Sequence, residues 1–300
     1  MTNPGAAGQG AAGERLDPRL HAFRPDLADA ALQSRVEAGR FVEPVPARIA
    51  TGTASVREQP RTDARQATEL LFGEAVEVFE RGDGWAWVRN RTDGYVGYLR
   101  ETALGLPAAE PTHRVAALRS YLFDGPDLKL APRDLLHLTS PVAVAETRED
   151  GWSRLADTPE GPGGYVWTRH LAPLQATAHD WIATARRFLG APYAWGGRSS
   201  IGLDCSALVQ LALARAGMAV PRDSDMQAAG LGEAVEGGIE AARPGDVLCW
   251  PGHVAFLVGG ARILHANGFH MAVAEEKLAD FRARTLEKVG DVKAVRRPVA

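Results

Sequence analysis

The sequence predicts a multidomain protein in which two small all-β units precede a larger α+β domain. Three observations predict this fold class: the length of the chain, an internal repeat and a change in apolar periodicity. With 300 residues, the chain is long enough for several hydrophobic cores. Short alternating segments rich in Val, Thr, Tyr and Trp begin near residue 43 and give way to helical periodicity near residue 176.

Residues 1–42 are predicted to form a flexible start and a helical lead-in. Residues 1–13 are rich in Gly and Ala, whereas residues 27–36 place apolar side chains three and four apart, as in a helix. The start lacks the basic and apolar regions of a secretory signal peptide. No stretch is apolar over the about 20 residues that a membrane span needs. We therefore expect a cytoplasmic protein without a membrane partner.

Two similar segments indicate that one small β unit occurs twice. Residues 81–85 read Arg-Gly-Asp-Gly-Trp and precede Gly-Tyr-Val at 94–96, while residues 148–152 read Arg-Glu-Asp-Gly-Trp and precede Gly-Tyr-Val at 164–166. An Asp-Gly pair before an aromatic strand favours a tight turn. The units resemble bacterial SH3-like domains. We predict two small all-β SH3-like barrels, at residues 43–106 and 112–175, joined by a linker at 107–111.

The third domain is predicted at residues 177–300. Helices are expected at residues 181–189 and 205–216, and strands at residues 247–250, 253–258 and 262–265, with Gly-containing turns between the strands. Helices followed by an antiparallel sheet are typical of an α+β domain.

Cys205 has the sequence environment of a catalytic nucleophile. Asp204 can cap the helix that follows, which places the thiol in the first turn. The helix dipole and a nearby imidazole both favour a thiolate, so we predict a lowered pKa for Cys205. The backbone N–H of Cys205 is expected to stabilise an oxyanion.

Two histidines are predicted to lie on neighbouring strands. His253 opens one strand and His265 closes the next, so antiparallel pairing can bring both rings to the sheet face that meets the Cys205 helix. The second ring nitrogen of a catalytic His needs a polar partner to fix its tautomer. The sequence therefore predicts Cys205 as nucleophile, His253 as its base and His265 as the residue that orients the base.

The Asp-Cys-Ser, Gly-His-Val and His-Ala elements, at residues 204–206, 252–254 and 265–266, resemble the NlpC-type cell-wall cysteine peptidases. The resemblance covers residues 178–300 and implies a papain-like α+β fold with the same triad. Ala207 departs from the family, in which many members carry Gly, and a methyl group should be tolerated there. A subset with N-terminal SH3-like domains resembles γ-D-glutamyl-L-diamino acid endopeptidases, which recycle murein peptides with a free N-terminal L-Ala.

The resemblance to that subset implies residues that read the substrate amine and the D-Glu carboxylate. A buried ammonium needs a carboxylate to offset its desolvation. Two of the candidates have alternatives: Glu74 could be a solvated strand residue, and Tyr95 could belong to a barrel core. The run at residues 195–197 is either a simple turn or a place where backbone approaches substrate. The candidate substrate-binding residues are Tyr193, Trp195, Asp204, Ser206, Ser224, Glu74 and Tyr95.

Charge and cysteine content argue against several classes of function. A net charge of -3, without a run of five like charges, argues against a nucleic-acid partner. Cys205 and Cys249 match neither a disulfide framework nor a zinc motif, so free thiols and no metal or cofactor are expected.

Three alternative functions remain at this stage. A non-catalytic wall-binding SH3-like protein should have a damaged triad, whereas this triad is complete. A lipid acyltransferase or amidase should have an apolar groove or membrane helix, and the sequence shows no such segment. A hydrolase of intact peptidoglycan would differ from a recycling enzyme in its preferred substrate.

Overall fold

A computed structural model describes residues 16–299. The described chain begins with two short strands that pair in parallel, β1 (Ala28–Asp29) and β2 (Phe41–Val42), and a 3₁₀ turn at Ala30–Leu32. The predicted helical lead-in is wrong for this part of the chain, and the predicted flexible start lies outside the described residues. The apolar Ala22 and Leu27 pack on Phe79 and Trp87, so contacts with the next domain override the local helical spacing.

The first β region forms one seven-stranded sheet. Its spatial order is β5-β4-β8-β7-β6-β3-β9. Asp83 and Gly84 have positive φ angles of 54° and 75° in the turn between β6 and β7, which confirms the predicted Asp-Gly turn. The strands are β3 (Val45–Ile49), β4 (Thr53–Arg57), β5 (Gln66–Leu71), β6 (Ala75–Gly82), β7 (Trp85–Asn90), β8 (Val96–Arg100) and β9 (Leu104–Gly105).

The second β region has its own apolar core, which includes Val115, Leu136 and Val166. Its strands form three small sheets, β13-β10-β17, β11-β12 and β14-β15-β16. These sheets do not join into one, and the seven-stranded order of the first region does not close between β5 and β9. Two closed barrels therefore stay a prediction. The strands are β10 (His113–Val115), β11 (Arg119–Leu122), β12 (Asp134–His137), β13 (Pro141–Val142), β14 (Val144–Thr147), β15 (Trp152–Leu155), β16 (Tyr165–Trp167) and β17 (Leu171–Pro173).

The two β regions approach each other closely at two glycines. A Cβ atom on Gly52 would lie 2.3 Å from the Leu135 carbonyl oxygen, and one on Gly73, whose φ is +79°, would lie 2.0 Å from that of Pro141. Only glycine therefore fits at these positions.

The α+β region contains a six-stranded sheet in the order β20-β25-β21-β22-β23-β24. Its predicted core elements are confirmed, with small differences at their ends. The elements, in chain order, are α1 (Trp181–Arg186), β18 (Arg198–Ser199), β19 (Gly202–Leu203), α2 (Cys205–Arg215), α3 (Ser224–Gly230), β20 (Glu233–Ala234), β21 (Val247–Trp250), β22 (His253–Val258), β23 (Arg262–Asn267), β24 (Ala272–Lys277), α4 (Leu278–Val289) and β25 (Ala294–Arg297).

Helices cover both faces of this sheet. Val254 and Phe256 belong to the apolar cluster around α2, whereas Ala255 and Ile263 belong to the cluster around Phe281 of α4. Successive side chains of a strand point to opposite faces. The sheet is therefore buried between α2 and α4, and α4 is a helix that the sequence analysis did not predict.

Candidate active site

Cys205 is the first residue of α2, and Asp204 caps the helix. The Ala207 N–H donates to Asp204 Oδ1 at 2.8 Å, which confirms the predicted cap. Cys205 is 7% exposed, and the N–H groups of Val254 and Ser206 approach its sulfur. The backbone N–H of Cys205 has no acceptor among residues 16–299. The start of the helix thus supplies a shielded thiol beside a free backbone donor.

Without substrate, the Cys205 thiol and the His253 imidazole are both neutral. Burial, with the Asp204 charge second, raises the pKa of the Cys205 thiol to about 12. Burial, with the neighbouring His265 second, lowers the pKa of His253 to about 3. The predicted low pKa of Cys205 is wrong for the substrate-free protein, because loss of solvation outweighs the backbone N–H groups that favour a thiolate.

His253 and His265 are joined directly. His253 Nε2 and His265 Nδ1 lie 2.7 Å apart, across the antiparallel strands β22 and β23. Phe281 stacks on the His253 ring, with centroids 5.4 Å apart, and also contacts His265. The rings therefore lie on the α4 face, and the prediction that they share the α2 face is wrong. Because side chains alternate between the two faces along β22, Val254 faces α2 and His253 faces α4.

The His253 ring and the Cys205 sulfur come from opposite sides of the first residues of β22. The Val254 N–H reaches the sulfur, so the backbone of the preceding residue, His253, lies next to Cys205. Within residues 16–299 no hydrogen bond joins the sulfur to the His253 ring. Catalytic hydrogen bonds are often long without substrate and tighten when it binds.

Glu276 and Arg284 extend the histidine pair, and the sequence analysis missed both. His265 Nε2 lies 2.9 Å from Glu276 Oε1, and the Arg284 guanidinium donates to both Glu276 oxygens, at 2.7 and 3.0 Å. The helical spacing of Leu278, Phe281 and Val289 was the available signal for α4, on which Arg284 lies.

One trio in the described chain, His265, His270 and Glu276, has side-chain atoms close enough to share a metal ion. Both oxygens of Glu276 are bound by Arg284. A cation would have to displace that guanidinium, so the geometry favours an ion pair here.

Asp204 and Ser206 are held by a buried arginine that the sequence analysis did not single out. Arg222 is 1% exposed and donates to both Asp204 oxygens, at 3.0 and 2.8 Å, and to Ser206 Oγ at 2.9 Å. Its Nε donates to Thr68 Oγ1 of the first β region at 2.8 Å. Tyr193 packs against the apolar cluster that contains Cys205, and burial, together with the nearby Asp204 charge, raises its pKa to about 12.

The first β region also contacts the start of α3. Tyr95 is 6% exposed, and its hydroxyl donates to Asp223 Oδ2 at 3.0 Å, immediately before Ser224. Arg19 from the N-terminal segment bonds Asp223 at 2.8 Å and Asp225 at 2.7 Å. Tyr95 is therefore packed in the first β region and also bonded to Asp223, immediately before α3 begins at Ser224.

Glu74 is buried at the junction of the first β region and the third domain, so its predicted role in substrate binding is corrected. Its carboxylate is 4% exposed, and both oxygens accept bonds from Arg198, each at 3.0 Å. A further contact across the same junction joins Gln210 Nε2 to Asp93 Oδ2 at 3.0 Å. Glu74 is not accessible to a substrate amine, because it is buried and Arg198 bonds both its oxygens. Instead, Glu74 joins the first β region to the third domain.

The remaining candidate, Trp195, is 67% exposed. It precedes Gly196, whose N–H donates to Asp204 Oδ2 at 2.9 Å. The structure thus gathers Tyr193, Asp204 and Ser206 near Cys205, places Trp195 at the rim and connects Ser224 through Asp223 and Tyr95.

Two protein-family models match parts of the chain. The model of the NlpC/P60 family matches residues 190–288. The third domain belongs to the NlpC/P60 family. A second model, the bacterial dipeptidyl-peptidase SH3 domain, matches residues 56–104. The chain therefore combines an SH3 domain with an NlpC/P60 domain, and it is a cysteine peptidase.

Curated relatives match about two thirds of this chain. Dipeptidyl-peptidase 6 of Lysinibacillus sphaericus is 26% identical over 71% of this chain and 84% of its own length. The γ-D-glutamyl-L-lysine dipeptidyl-peptidase of Bacillus subtilis is 28% identical over 68% of this chain and 73% of its own length. The crystal structure of an NlpC/P60 protein from Bacillus cereus superposes with a TM-score of 0.73 at 20% identity, covering 85% of this chain and all of that one, and it shows a shared fold.

Between residues 16 and 299, none of the helices has the length and apolar character needed to cross a bilayer.

Proposed function

We propose that this enzyme hydrolyses the γ-D-glutamyl-L-diamino acid bond of murein peptides with a free N-terminal L-Ala, in the recycling of cell-wall peptides. The observation that supports the proposal is that the SH3 region bonds to residues around the nucleophile. Tyr95 bonds Asp223 beside Ser224, and Thr68 bonds Arg222, which holds Asp204. An SH3 region packed against this end of the site would favour a peptide that terminates there. The name of the B. subtilis relative supports the same bond.

The neutral Cys205–His253 pair favours attack with proton transfer. As the sulfur bonds to the scissile carbonyl carbon, His253 takes the thiol proton, and the carbonyl oxygen becomes an oxyanion. The free N–H of Cys205 is proposed to stabilise that oxyanion. The C–N bond then breaks, His253 returns the proton to the leaving amine of the diamino acid, and water hydrolyses the thioester. In this scheme His265 holds the His253 ring through the 2.7 Å contact.

Substrate binding is proposed for the residues that surround the nucleophile. Asp204 and Ser206 lie within one polar cluster with Arg222, and Tyr193 lies beside them. Asp204, like Glu74, has both oxygens bound by a buried arginine, so its proposed part is to orient Ser206, whose hydroxyl donates to it. The Ser206 and Tyr193 oxygens are proposed to accept bonds from the substrate ammonium. The remaining residues assigned to this role are Tyr95, Ser224 and, at the exposed rim, Trp195.

The test is mass-spectrometric cleavage of L-Ala-γ-D-Glu-diaminopimelate. We expect wild type to release L-Ala-D-Glu and to spare an N-acetylated copy of the peptide. Cys205→Ala should be inactive, whereas Cys249→Ala is the matched control, because that thiol is 0% exposed and donates to the Val247 carbonyl oxygen, so a substrate cannot reach it. Equal cleavage of the acetylated peptide would contradict the free-amine requirement. Faster release from intact sacculi than from tripeptide would favour the alternative, hydrolysis of intact peptidoglycan.

A further inference from the structure

We propose that Glu276, held by Arg284, fixes the tautomers of His265 and His253 and is thereby a positioning residue for the catalytic base. The inference rests on the proposed function, because it takes His253 as the base of Cys205. Glu276 and Arg284 do not contact the Cys205 sulfur, so both act through the pair of His265 and His253.

The four side chains form a continuous and largely buried line. His265 is 0% exposed, and the Glu276 side chain is 10% exposed. The contacts are 2.7 Å from His253 to His265, 2.9 Å from His265 to Glu276 and 2.7 Å from Arg284 to the same Glu276 oxygen. Phe281 of α4 contacts both rings and restricts their rotation.

Glu276 is a carboxylate in this setting. Burial opposes its ionisation, but hydrogen bonds from His265 and Arg284 outweigh burial and lower its pKa to about 2. The His270 ring is a further neighbour, with Nδ1 3.9 Å from Glu276 Oε1. An ionised carboxylate can only accept hydrogen bonds.

The direction of every hydrogen bond in the line follows from this acceptor. His265 must carry its proton on Nε2 in order to donate to Glu276. Neutral His265 then has a bare Nδ1, which can only accept, so His253 must carry its proton on Nε2. Neutral His253 is left with a lone pair on Nδ1, the nitrogen that has no partner in this line. One carboxylate thereby leaves the base with a free lone pair for the Cys205 proton.

Arg284 keeps this acceptor in place. Its guanidinium donates to both Glu276 oxygens, and its Cζ lies 3.9 Å from the Phe269 ring centroid. A two-point ion pair from α4 fixes the orientation of the carboxylate.

The test compares Glu276→Gln with Glu275→Gln in the full-length protein. Glu275 precedes Glu276 on β24 but bonds Arg186 and Arg262 instead, so it is a matched control. Imidazole nitrogen–proton correlation spectra without substrate should show His265 and His253 as single Nε2–H tautomers in wild type and Glu275→Gln. Glu276→Gln should give mixed tautomers, because an amide can donate or accept.

The kinetic readout is a fall in kcat with an unchanged KM for L-Ala-γ-D-Glu-diaminopimelate. For Glu276→Gln we expect a loss on the order of 10–100-fold, as for outer-shell partners of functional histidines. Combining it with His265→Ala should cause no further loss, because Glu276 acts through that ring. Arg284→Lys, which keeps the charge but not the two-point contact, should give a smaller loss and serves if Glu276→Gln folds poorly.

Unchanged tautomers in folded Glu276→Gln, or in folded Arg284→Lys if that variant is needed, would overturn the proposal. Losses that add in the double variant, or an equal loss in Glu275→Gln, would also overturn it. If wild type cleaves no murein peptide, the proposed function fails, while the tautomers measured without substrate still decide this inference.

Discussion

Replacing Glu74 by Gln separates a docking role from a substrate-binding role. The substitution keeps the size of the side chain and removes its charge, which leaves the Arg198 guanidinium, 3% exposed, without the carboxylate that it bonds. Removing one partner of a buried ion pair costs about 3–5 kcal/mol. Because Gln keeps one acceptor oxygen, we expect the lower end, about 3 kcal/mol of unfolding free energy.

This loss should be visible in thermal unfolding. At ~2–4 °C per kcal/mol for domains of this size, the midpoint should fall by about 6–12 °C. Asp63→Asn is the control, since Asp63 pairs with Arg61 at the surface, where the side chains are 74% and 58% exposed. Such exposed pairs contribute about 0–1 kcal/mol. Calorimetry measures both midpoints, and steady-state kinetics at a temperature where both variants are folded measures KM.

The docking role predicts a lower midpoint with KM for the free-amine tripeptide nearly unchanged. An unchanged midpoint together with a raised KM for the free-amine peptide would refute it. That result would restore Glu74 as a substrate-binding residue.

Three further predictions concern the cluster around the active site and the buried histidines. Arg19→Ala should raise KM and leave kcat unchanged, because Arg19 orients Asp223 beside Ser224; its side chain is 36% exposed, so the stability loss should stay below about 1 kcal/mol. Arg222→Met should abolish cleavage and lower the free energy of unfolding by about 3–5 kcal/mol in urea titrations, because Asp204 loses its buried partner. Burial lowers the pKa of His137 to about 4 and that of His253 to about 3, from 6.5. Below pH 6.5 the unfolded chain therefore binds protons that the folded protein does not. The free energy of unfolding should fall as the pH drops from about 6.5 to 4.5. His137→Gln should reduce this slope by up to ~1.4 kcal/mol per pH unit in urea titrations across that range; an unchanged slope would count against a neutral buried His137.

Local sequence signals predicted the elements that present the nucleophile and the histidines. Asp204 before Cys205 is a helix cap in the structure, and the strands at His253 and Arg262 begin where alternation and turns place them. These features depend on neighbouring residues in the chain.

Features that depend on distant contacts could not be predicted in this way. Glu276 lies in an alternating strand where a solvated carboxylate is the usual expectation, and Arg222 is buried although arginines are mostly exposed. Each is stabilised by a partner from another element, Arg284 or Asp204. The face of the His253 ring and the raised pKa of Cys205 likewise follow from tertiary burial.

The polar contacts across the junction mean that the SH3 region and the peptidase domain depend on each other when either is exchanged. Arg198, Arg222 and Gln210 of the peptidase domain bond Glu74, Thr68 and Asp93 of the SH3 region. A peptidase domain transplanted onto a foreign partner would carry these three side chains without their acceptors. Recombination at this boundary would therefore leave buried polar groups without hydrogen-bond partners, which costs stability. Exchange of the SH3 region and the peptidase domain as a pair preserves these contacts.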